Sequence, residues 1–269
     1  MSEPVGIVVC GAAGRMGRLL VALAPEAGLK VAAAIEAPGH PKLGQDAGEV
    51  AGTGALGIAL GDDLERECRA ERVVLDFTGM PAATLRHAEI AARAGAGLVV
   101  GTTGFTAEQA EKLREIAGRT RAIVAANYSV GVTVLTALVA SAAKLLDASF
   151  EPEIVELHHH SKKDAPSGTA LALARALADV RGLTFPKSAV LAREGMVGAR
   201  RPDEIGIVAL RAGDAVGDHT VLFGGLGERL ELTHRATSRE CLVRGALRAA
   251  GWVAPKTAGI YTMRDVLGL

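Results

Sequence analysis

The stretch "GIVVCGAAGRMGRLL", residues 6–20, decides the fold of this chain. Its first five residues form the short apolar run of a buried strand, and the segment "GRMGRLL" at its end has helical spacing. Between the two lie Gly11, Gly14 and Gly17, which allow a tight turn and let backbone N–H groups approach a pyrophosphate. The pattern is GxxGxxG and not the strict GxGxxG. An ordinary glycine turn between strand and helix therefore stays open as an alternative.

The residues that follow predict a parallel sheet. Apolar runs at residues 30–36, 72–78, 97–104 and 121–129 alternate with segments of helical periodicity. Such alternation is typical of βαβ units. Glu36 ends the second run, where an acidic side chain accepts hydrogen bonds from the adenine ribose of a bound dinucleotide. A capping or solvent-facing carboxylate is the alternative for this residue.

Three short polar segments stand at the predicted ends of strands. They are "DFT" at residues 76–78, "GTTG" at 101–104 and "AANYS" at 125–129. Ligands of open parallel sheets bind beyond the carboxyl ends of the strands. One such segment alone is an ordinary loop, but three on one edge favour a rim that meets a cofactor.

The second half of the chain has a different pattern. A helix at residues 133–148 is followed by strands with glycine turns, which favour a mixed sheet. One helix at residues 167–180 interrupts these strands, and helical periodicity returns near Ser238. We therefore predict an α/β fold with a Rossmann-like, parallel-sheet dinucleotide domain from residues 1–128 and 238–269. An inserted α+β domain with a mixed sheet takes up residues 129–237.

Composition excludes several classes of function. The chain has 30 basic and 30 acidic residues, so bulk charge gives no reason to expect a nucleic-acid or membrane-surface partner. Cys10, Cys68 and Cys241 are far apart and form no CxxC pair, which argues against disulfides and zinc knuckles. No signal peptide or membrane-spanning run is visible. We expect a cytoplasmic protein.

The stretch "ELHHHSKKDAPSGTA", residues 156–170, concentrates groups that carry protons or bind anions. Histidine titrates near neutrality and can supply a proton, and a neighbouring lysine offers a second donor. Ser167 or Asp164 is predicted to cap the helix that follows. The N–H groups of Gly168 and Thr169 would then be placed to hold a carboxylate.

Two other interpretations of this stretch are a metal site and a solvated basic loop. On a strand, His158 and His160 would face one way and His159 the other, so the three converge only if the strand ends there. The adjacent lysines oppose a bound cation, and we predict no metal site. The solvated loop stays open on this stretch alone.

Taken together, these motifs resemble the 4-hydroxy-tetrahydrodipicolinate (dihydrodipicolinate) reductase family of bacterial diaminopimelate and lysine synthesis. The resemblance covers essentially the whole chain, and "HHxxKxDAPSGTA" is its most specific element, present here as residues 158–170. It implies an NAD(P)-dependent oxidoreductase that reduces a cyclic, unsaturated dicarboxylate. It also implies a Rossmann-like domain and a mixed-sheet domain that builds a homotetramer.

The resemblance also assigns roles to residues. His158 would be a proton donor or acceptor, Lys162 a proton donor and His159 a substrate contact, while Gly168 and Thr169 would bind a substrate carboxylate. His160 and Lys163 occupy variable places of the motif and receive no role. The residues that would line the cofactor are Gly11, Ala12, Ala13, Gly14, Arg15, Met16, Glu36, Gly101, Thr102, Thr103, Ala125, Ala126, Asn127 and Tyr128.

The residue after Glu36 bears on the choice of cofactor. Family members that use NADPH well tend to carry an arginine there, and this chain has Ala37. We therefore expect NADH to be preferred and NADPH to be accepted less well, unless His40 or Lys42 folds back to bind the 2′-phosphate. Two competing functions are a different dehydrogenase, such as one for amino acids, and a non-catalytic dinucleotide sensor.

Overall fold

A computed structural model describes residues 3–269 of the chain. It divides the chain into two compact units. The first contains the chain up to Val130 together with Glu240–Leu269, and the second is Gly131–Arg239. The second unit is thus an insertion between two parts of the first.

The elements of the first unit alternate between strand and helix before the insertion and return after it. They are β1 (Gly6–Cys10), α1 (Arg15–Leu23), β2 (Lys30–Ile35), α2 (Ala47–Ala51), β3 (Leu60–Gly61), α3 (Leu64–Glu67), β4 (Arg72–Asp76), α4 (Pro81–Arg93), β5 (Gly97–Val100), α5 (Ala107–Ala117), β6 (Arg121–Val124), α8 (Glu240–Val253), β12 (Gly259–Tyr261) and α9 (Met263–Leu267).

The strands of this unit form one parallel sheet. Among the described residues it has seven strands in the order β12-β6-β5-β4-β1-β2-β3. Each neighbouring pair is parallel. The order steps outward from β1 in both directions, as in doubly wound dinucleotide folds. The predicted Rossmann-like domain is confirmed.

Apolar clusters cover both faces of this sheet. One joins β1 and β4 to α1 and α8, and the other joins β1, β4 and β5 to α4 and α5. The helix α8, which follows the insertion, packs closely because Gly245 has no side chain. A Cβ at that position would lie 1.7 Å from the Tyr128 carbonyl oxygen. The C-terminal segment is thereby part of the first core.

The second unit contains two helices and a second sheet. Its elements are α6 (Val130–Leu145, whose first residue is grouped with the first unit), β7 (Glu151–His158), α7 (Gly168–Arg181), β8 (Ala189–Val190), β9 (Ile205–Arg211), β10 (Gly217–Gly224) and β11 (Arg229–Ala236). Within the described chain the sheet order is β11-β10-β7-β9-β8. The pairs of β10 are antiparallel and those of β9 parallel, so the predicted mixed sheet is confirmed.

Strict alternation of burial marks the centre of this sheet. In β7, Pro152, Ile154, Glu156 and His158 are buried and the residues between them are not. The apolar members of this face pack against α6 and α7 in a third cluster. Glu156 and His158 therefore occupy positions that the alternation reserves for the core.

The helix α6 differs from the sequence prediction by three residues at each end. The helix expected at residues 133–148 begins at Val130, because an interior Gly131 hid its first turn from the pattern. It ends at Leu145, and Asp147 Oδ1 then accepts hydrogen bonds from the N–H and hydroxyl of Ser149 in a turn. Among residues 3–269, no helix is both long and apolar enough to cross a membrane.

Candidate active site

The glycine loop of the first unit is a tight backbone turn. Gly11 has φ +76° and donates its N–H to the Ile35 carbonyl at 2.8 Å. Any other residue type is strained at that φ. A Cβ on Gly17 would lie 2.0 Å from the Gly11 carbonyl oxygen, so α1 reaches the loop only with glycine there. Glycine is thus required at residue 11 by the backbone angle and at residue 17 by the close approach of α1 to the loop.

The start of α1 presents backbone donors to this turn. Its N-cap, Gly14, makes no side-chain capping bond, and first-turn N–H groups have no carbonyl partner within a helix. Glu36 accepts the Ala13 N–H at 2.7 Å and the Ala37 N–H at 3.3 Å. The carboxylate at the end of β2 therefore lies against the glycine loop, where a dinucleotide ribose would meet it.

A cavity of about 480 Å³ opens beside this loop. Of the predicted cofactor residues, Gly11, Ala13, Gly14 and Glu36 line it. It is also lined by residues outside that prediction, among them Ala37, Pro38, His40, Phe77, Thr78, Arg86 and His87. Within the loop after β2, the Lys42 backbone N–H donates to Nδ1 of the cavity-lining His40 at 3.2 Å.

The buried carboxylate of Asp76 organises the strand ends around the cavity. Its Oδ1 accepts the hydroxyls of Thr78, Thr84 and Thr102, and its Oδ2 lies 2.6 Å from His87 Nδ1. Burial opposes the charge, but the bonds from His87 and the threonines hold the pKa of Asp76 below its usual value. This network explains why the "DFT" and "GTTG" segments are polar.

Cys10 lies next to this network. Its Sγ is within 4.8 Å of ligand-type atoms of Asp76 and His87. Burial, and then the charge of Asp76, raise the pKa of the Cys10 thiol well above its usual value. Because Asp76 already binds His87 and three threonine hydroxyls, we interpret the group as a structural anchor.

The remaining predicted cofactor residues lie at the ends of β5 and β6, in the loop after β1 (Ala12) or in the first turn of α1 (Arg15 and Met16). A Cβ on Gly101 would lie 2.0 Å from the Phe77 ring, so glycine is required there. The buried Tyr128 hydroxyl donates to the carbonyls of Val100 and Ile123. Side chains that are exposed or half-buried are those of Ala125, Ala126, Asn127, Thr103, Arg15 and Met16, while Ala12 and Thr102 are buried.

In the second unit the histidine stretch begins at the very end of a strand. β7 ends at His158, and in register His158 pairs with Arg211 of β9 while Glu156 pairs with His219 of β10. All four side chains belong to the core face of the sheet. The sequence analysis required the strand to end at the histidines if they were to converge. β7 does end at His158, and His159 and His160 lie in the turn that follows.

Glu156 is the centre of this cluster. Its side chain is fully buried, and Oε2 lies 2.5 Å from His158 Nδ1 and 2.9 Å from Arg211 Nη1. Its Oε1 accepts Arg211 Nη2 and the Ser167 N–H, both at 3.0 Å. Burial raises its pKa, but the bonds from Arg211, His158 and Ser167 hold the pKa of Glu156 below the usual value.

The other predicted residues of the stretch form a turn after β7. His159 Nδ1 lies 2.8 Å from the Ser161 hydroxyl, and His160 Nδ1 2.8 Å from the Gly213 carbonyl. Burial, and then the positive charge of Arg239, lower the pKa of His159. Lys162 Nζ donates to both oxygens of Asp164, at 2.8 and 2.9 Å. The three histidine rings thus have three different partners.

Helix α7 begins where the sequence placed a carboxylate site. Ser167 is its N-cap and accepts the Ala170 N–H at 3.1 Å, whereas Asp164 pairs with Lys162. Of the two candidate caps, Ser167 is therefore the one used. Gly168 is exposed and Thr169 half-buried in the first turn, so this end of the helix is accessible to an anion.

Sequence reasoning missed Arg211 and His219 as members of this cluster. His219 is 3% exposed, its Nε2 lies 3.0 Å from the Ser167 hydroxyl, and its ring packs edge-on to that of His158 at 5.2 Å. Burial, and then the charge of His158, lower the pKa of His219 to about 4. Both are polar residues on the core face of a strand, which could have indicated a functional role. Placing them next to Glu156 also requires the strand order, which the sequence does not give.

Comparisons with known proteins agree across the chain. The family pattern described as "Dihydrodipicolinate reductase, N-terminus" matches residues 5–128, and "Dihydrodipicolinate reductase, C-terminus" matches residues 131–267. The 4-hydroxy-tetrahydrodipicolinate reductase of Geobacter sulfurreducens is 48% identical over 263 residues, with 98% of each chain covered. That of an Anaeromyxobacter species is 51% identical over 266 residues, again with 98% of each covered.

A solved structure has the same fold. It is a dipicolinate-bound dihydrodipicolinate reductase from Paenisporosarcina sp. TG-14, with a TM-score of 0.73 and 24% identity, covering 97% of this chain and 98% of that one. The family is consistent with the glycine cradle of the first unit, which suits NAD(P). By sequence along nearly its whole length, the chain belongs to the dihydrodipicolinate reductase family.

Proposed function

We propose that this chain reduces 4-hydroxy-tetrahydrodipicolinate to tetrahydrodipicolinate with NAD(P)H, in diaminopimelate and lysine biosynthesis. The observation that carries the proposal is the cluster at the end of β7. There an acid–base histidine, a lysine and the accessible start of a helix occur together within one unit. The other unit supplies a glycine cradle of the kind that binds dinucleotides.

The cofactor residues fit a bound dinucleotide. Gly11 and Gly17 let the loop pack closely against its neighbouring backbone, and the first turn of α1 offers N–H groups to the pyrophosphate. Glu36 would accept hydrogen bonds from the adenine ribose. When bound, the nicotinamide supplies a hydride. The ends of β5 and β6, at residues 101–103 and 125–128, would contact the cofactor beyond the ribose.

His158 and Lys162 act as the proton-transferring residues in this proposal. His158 is 8% exposed, and its ring is held on one side by Glu156. Lys162 Nζ lies at hydrogen-bonding distance from Asp164, which lowers the pKa of that carboxyl and keeps a charge beside the lysine. A positioned acid–base group contributes typically 10²–10⁴-fold to a rate. The two residues would protonate the substrate as it accepts the hydride.

The start of α7 binds one carboxylate of the substrate in this proposal. Gly168 and Thr169 supply the N–H groups of the first turn, and the helix dipole favours an anion there. His159 would contact the same substrate from the turn after β7. A cyclic dicarboxylate has a second carboxylate, and the positive side chain of Lys162 is near enough in sequence to share it.

NADH is the preferred cofactor in this proposal, and NADPH is accepted less well. Glu36 favours free ribose hydroxyls over a 2′-phosphate, and Ala37 offers no guanidinium beside it. His40 and Arg86 line the same cavity and could offset part of the repulsion. The ratio of kcat/KM for the two cofactors tests the preference, and a clear preference for NADPH would contradict it.

We also propose that the second unit, predicted to bind substrate, builds a homotetramer. The face of its sheet away from the helices carries an apolar patch among polar and charged side chains, with Val208 and Leu210 exposed by 41% and 47%. In register they pair with Val155 and Leu157 of β7. Light scattering on the purified protein would give the mass, and a monomer at micromolar concentration would contradict the proposal. The cytoplasmic location stays a prediction.

The direct test is an assay of NADH oxidation with the unstable substrate generated in place by the preceding synthase. We expect turnover that depends on the synthase and its substrates. Turnover of linear 2-oxo acids with ammonia, together with no turnover of the cyclic substrate, would favour an amino-acid dehydrogenase. NADH binding without turnover of either would favour a sensor.

A further inference from the structure

The buried carboxylate of Glu156 has more partners than core packing requires. An ionised carboxylate is stable in a protein interior only if its charge is neutralised and its oxygens are hydrogen-bonded. Both oxygens of Glu156 accept from Arg211, and each accepts one further bond, from His158 Nδ1 or from the Ser167 N–H. The carboxylate thus connects the His158 ring to Ser167, the N-cap of α7.

The same bonds fix where the histidine proton lies. Arg211 and the Ser167 N–H can only donate, so all their bonds require an acceptor on Glu156. The lowered pKa of Glu156 agrees with an ionised group at neutral pH. An ionised carboxylate has no hydrogen to give, and the contact with His158 Nδ1 therefore needs Nδ1–H. Neutral His158 then carries its lone pair on Nε2.

The surroundings keep Nε2 available for exchange. A Cβ on residue 217 would lie 2.9 Å from His158 Nε2, and this residue is glycine. The charged or titratable groups around His158 are Glu156 on its own strand, Arg211 on β9, His219 on β10, and His159 and Lys162 in the following turn. His219 is neutral at neutral pH, so Glu156 is the anion that faces the ring.

We propose that Glu156 is a positioning residue, which holds His158 in the Nδ1–H tautomer so that Nε2 is the atom that exchanges a proton. In the forward step His158 begins as the imidazolium, whose Nε2–H bond breaks as the proton passes to the substrate; the Nδ1–H bond to Glu156 stays intact, which leaves the neutral Nδ1–H tautomer. Solvent then returns a proton to Nε2. The exchange step rests on the function proposed above, whereas the tautomer is a property of the protein without ligands.

The test begins with ¹⁵N NMR of the histidine side chains in the unliganded protein at neutral pH, with the His158 signals assigned by their loss in His158→Gln. We expect a protonated Nδ1 and an unprotonated Nε2 in the wild type. Glu156→Gln should lose this pattern, because its amide nitrogen would face a donor at either oxygen position. Glu156→Asp should keep it in part. A wild type with the proton on Nε2 overturns the proposal whether or not any variant folds.

Kinetics provide the second readout. We expect Glu156→Gln to lower kcat by about 10- to 1,000-fold with little change in the KM for NADH, and Glu156→Asp to recover part of the loss. The matched control is Glu153→Gln, because Glu153 lies on the opposite face of the same strand and pairs with Arg193 and Arg200. It should leave both the tautomer and kcat unchanged.

Each outcome separates this proposal from the proposed function. If Glu156→Gln changes the tautomer but keeps wild-type kcat, positioning by Glu156 is wrong and the reductase activity stands. If the wild type has the expected tautomer but no turnover, the proposed function is wrong and the tautomer assignment stands. If Glu153→Gln loses kcat as Glu156→Gln does, the effect belongs to the strand's stability and overturns the positioning role.

Discussion

The two candidate sites of this protein are built from different parts of the chain. The candidate site at the glycine loop of the first unit is formed by the backbone, through N–H groups and the close backbone packing that Gly11 and Gly17 allow. The site at the end of β7 is formed by side chains on core positions of adjacent strands, with Glu156 and His158 as the centre. At a backbone site, added side-chain volume should disturb function more than a change of side-chain chemistry. At a side-chain site, a change of chemistry at constant volume should be the more damaging.

The largest expected effect is at the side-chain site. We predict that His158→Gln and Lys162→Ala each lower kcat by about 10²–10⁴-fold, because each removes a proton-transferring group. NADH affinity, measured by fluorescence titration, should change little. His160→Gln is the control, since the His160 ring bonds to the Gly213 carbonyl and has no role in the proposal, so this variant should keep nearly full turnover. Near-normal turnover in the first two variants would remove both residues from the mechanism.

At the backbone site a single methyl group should act strongly. In Gly17→Ala the added Cβ meets the Gly11 carbonyl at 2.0 Å, so α1 or the loop must move. A displacement of about 1 Å can change binding or rate by on the order of 10²-fold. We expect NADH affinity to fall by about 10- to 100-fold. Gly61→Ala, whose Cβ would meet nothing within 4 Å, is the control, and equal losses in both would contradict the steric explanation.

The free energy of unfolding should depend on pH through His219, a buried residue of the second unit. The pKa of buried His219 is lowered to about 4, so below its unfolded value of about 6.5 the unfolded chain binds a proton that the folded chain does not. Stability from this group is therefore complete above pH 6.5 and declines as pH falls toward 4. We predict a loss of about 2 kcal/mol between pH 7 and pH 5 in urea unfolding. His219→Gln should lose distinctly less, and an equal loss would contradict the assignment.

Cofactor choice should respond to one substitution beside Glu36. Ala37→Arg places a guanidinium next to the ribose site, and a charge-assisted hydrogen bond contributes about 1.5–3 kcal/mol. We predict that the ratio of kcat/KM for NADPH to that for NADH rises by about tenfold or more. Steady-state kinetics at low and moderate salt measure it. No change at low salt would mean that the 2′-phosphate binds away from residue 37.

The smallest effect is expected at the start of α7. Pyridine-2,6-dicarboxylate should inhibit competitively with the cyclic substrate, because its carboxylates match those that the helix start would hold. Thr169→Val keeps the backbone N–H but removes the hydroxyl as a second donor, so it should weaken this inhibition by several-fold, on the order of one hydrogen bond of about 1 kcal/mol, and leave NADH affinity unchanged. Equal weakening of both ligands would place Thr169 outside the substrate site.

The difference between the sites also explains what the sequence could predict. The strand β1 was predicted as residues 6–10 and is Gly6–Cys10, because the glycine turn and the apolar run are local signals. The start of α7 was also predicted from a local signal, although only the structure shows that Ser167 and not Asp164 is the N-cap. Arg211 and His219 join Glu156 only through the pairing of β9 and β10 with β7, and no local pattern contains that order.

The most direct test is the fate of the hydride. The wild-type enzyme would be supplied with NADH deuterated at the transferred position, in ordinary water, with the substrate generated by the preceding synthase, and the product analysed by mass spectrometry. We predict that tetrahydrodipicolinate carries one deuterium from the cofactor. Oxidation of the cofactor without label in the product, or no oxidation at all, would contradict the assignment of this chain as the reductase.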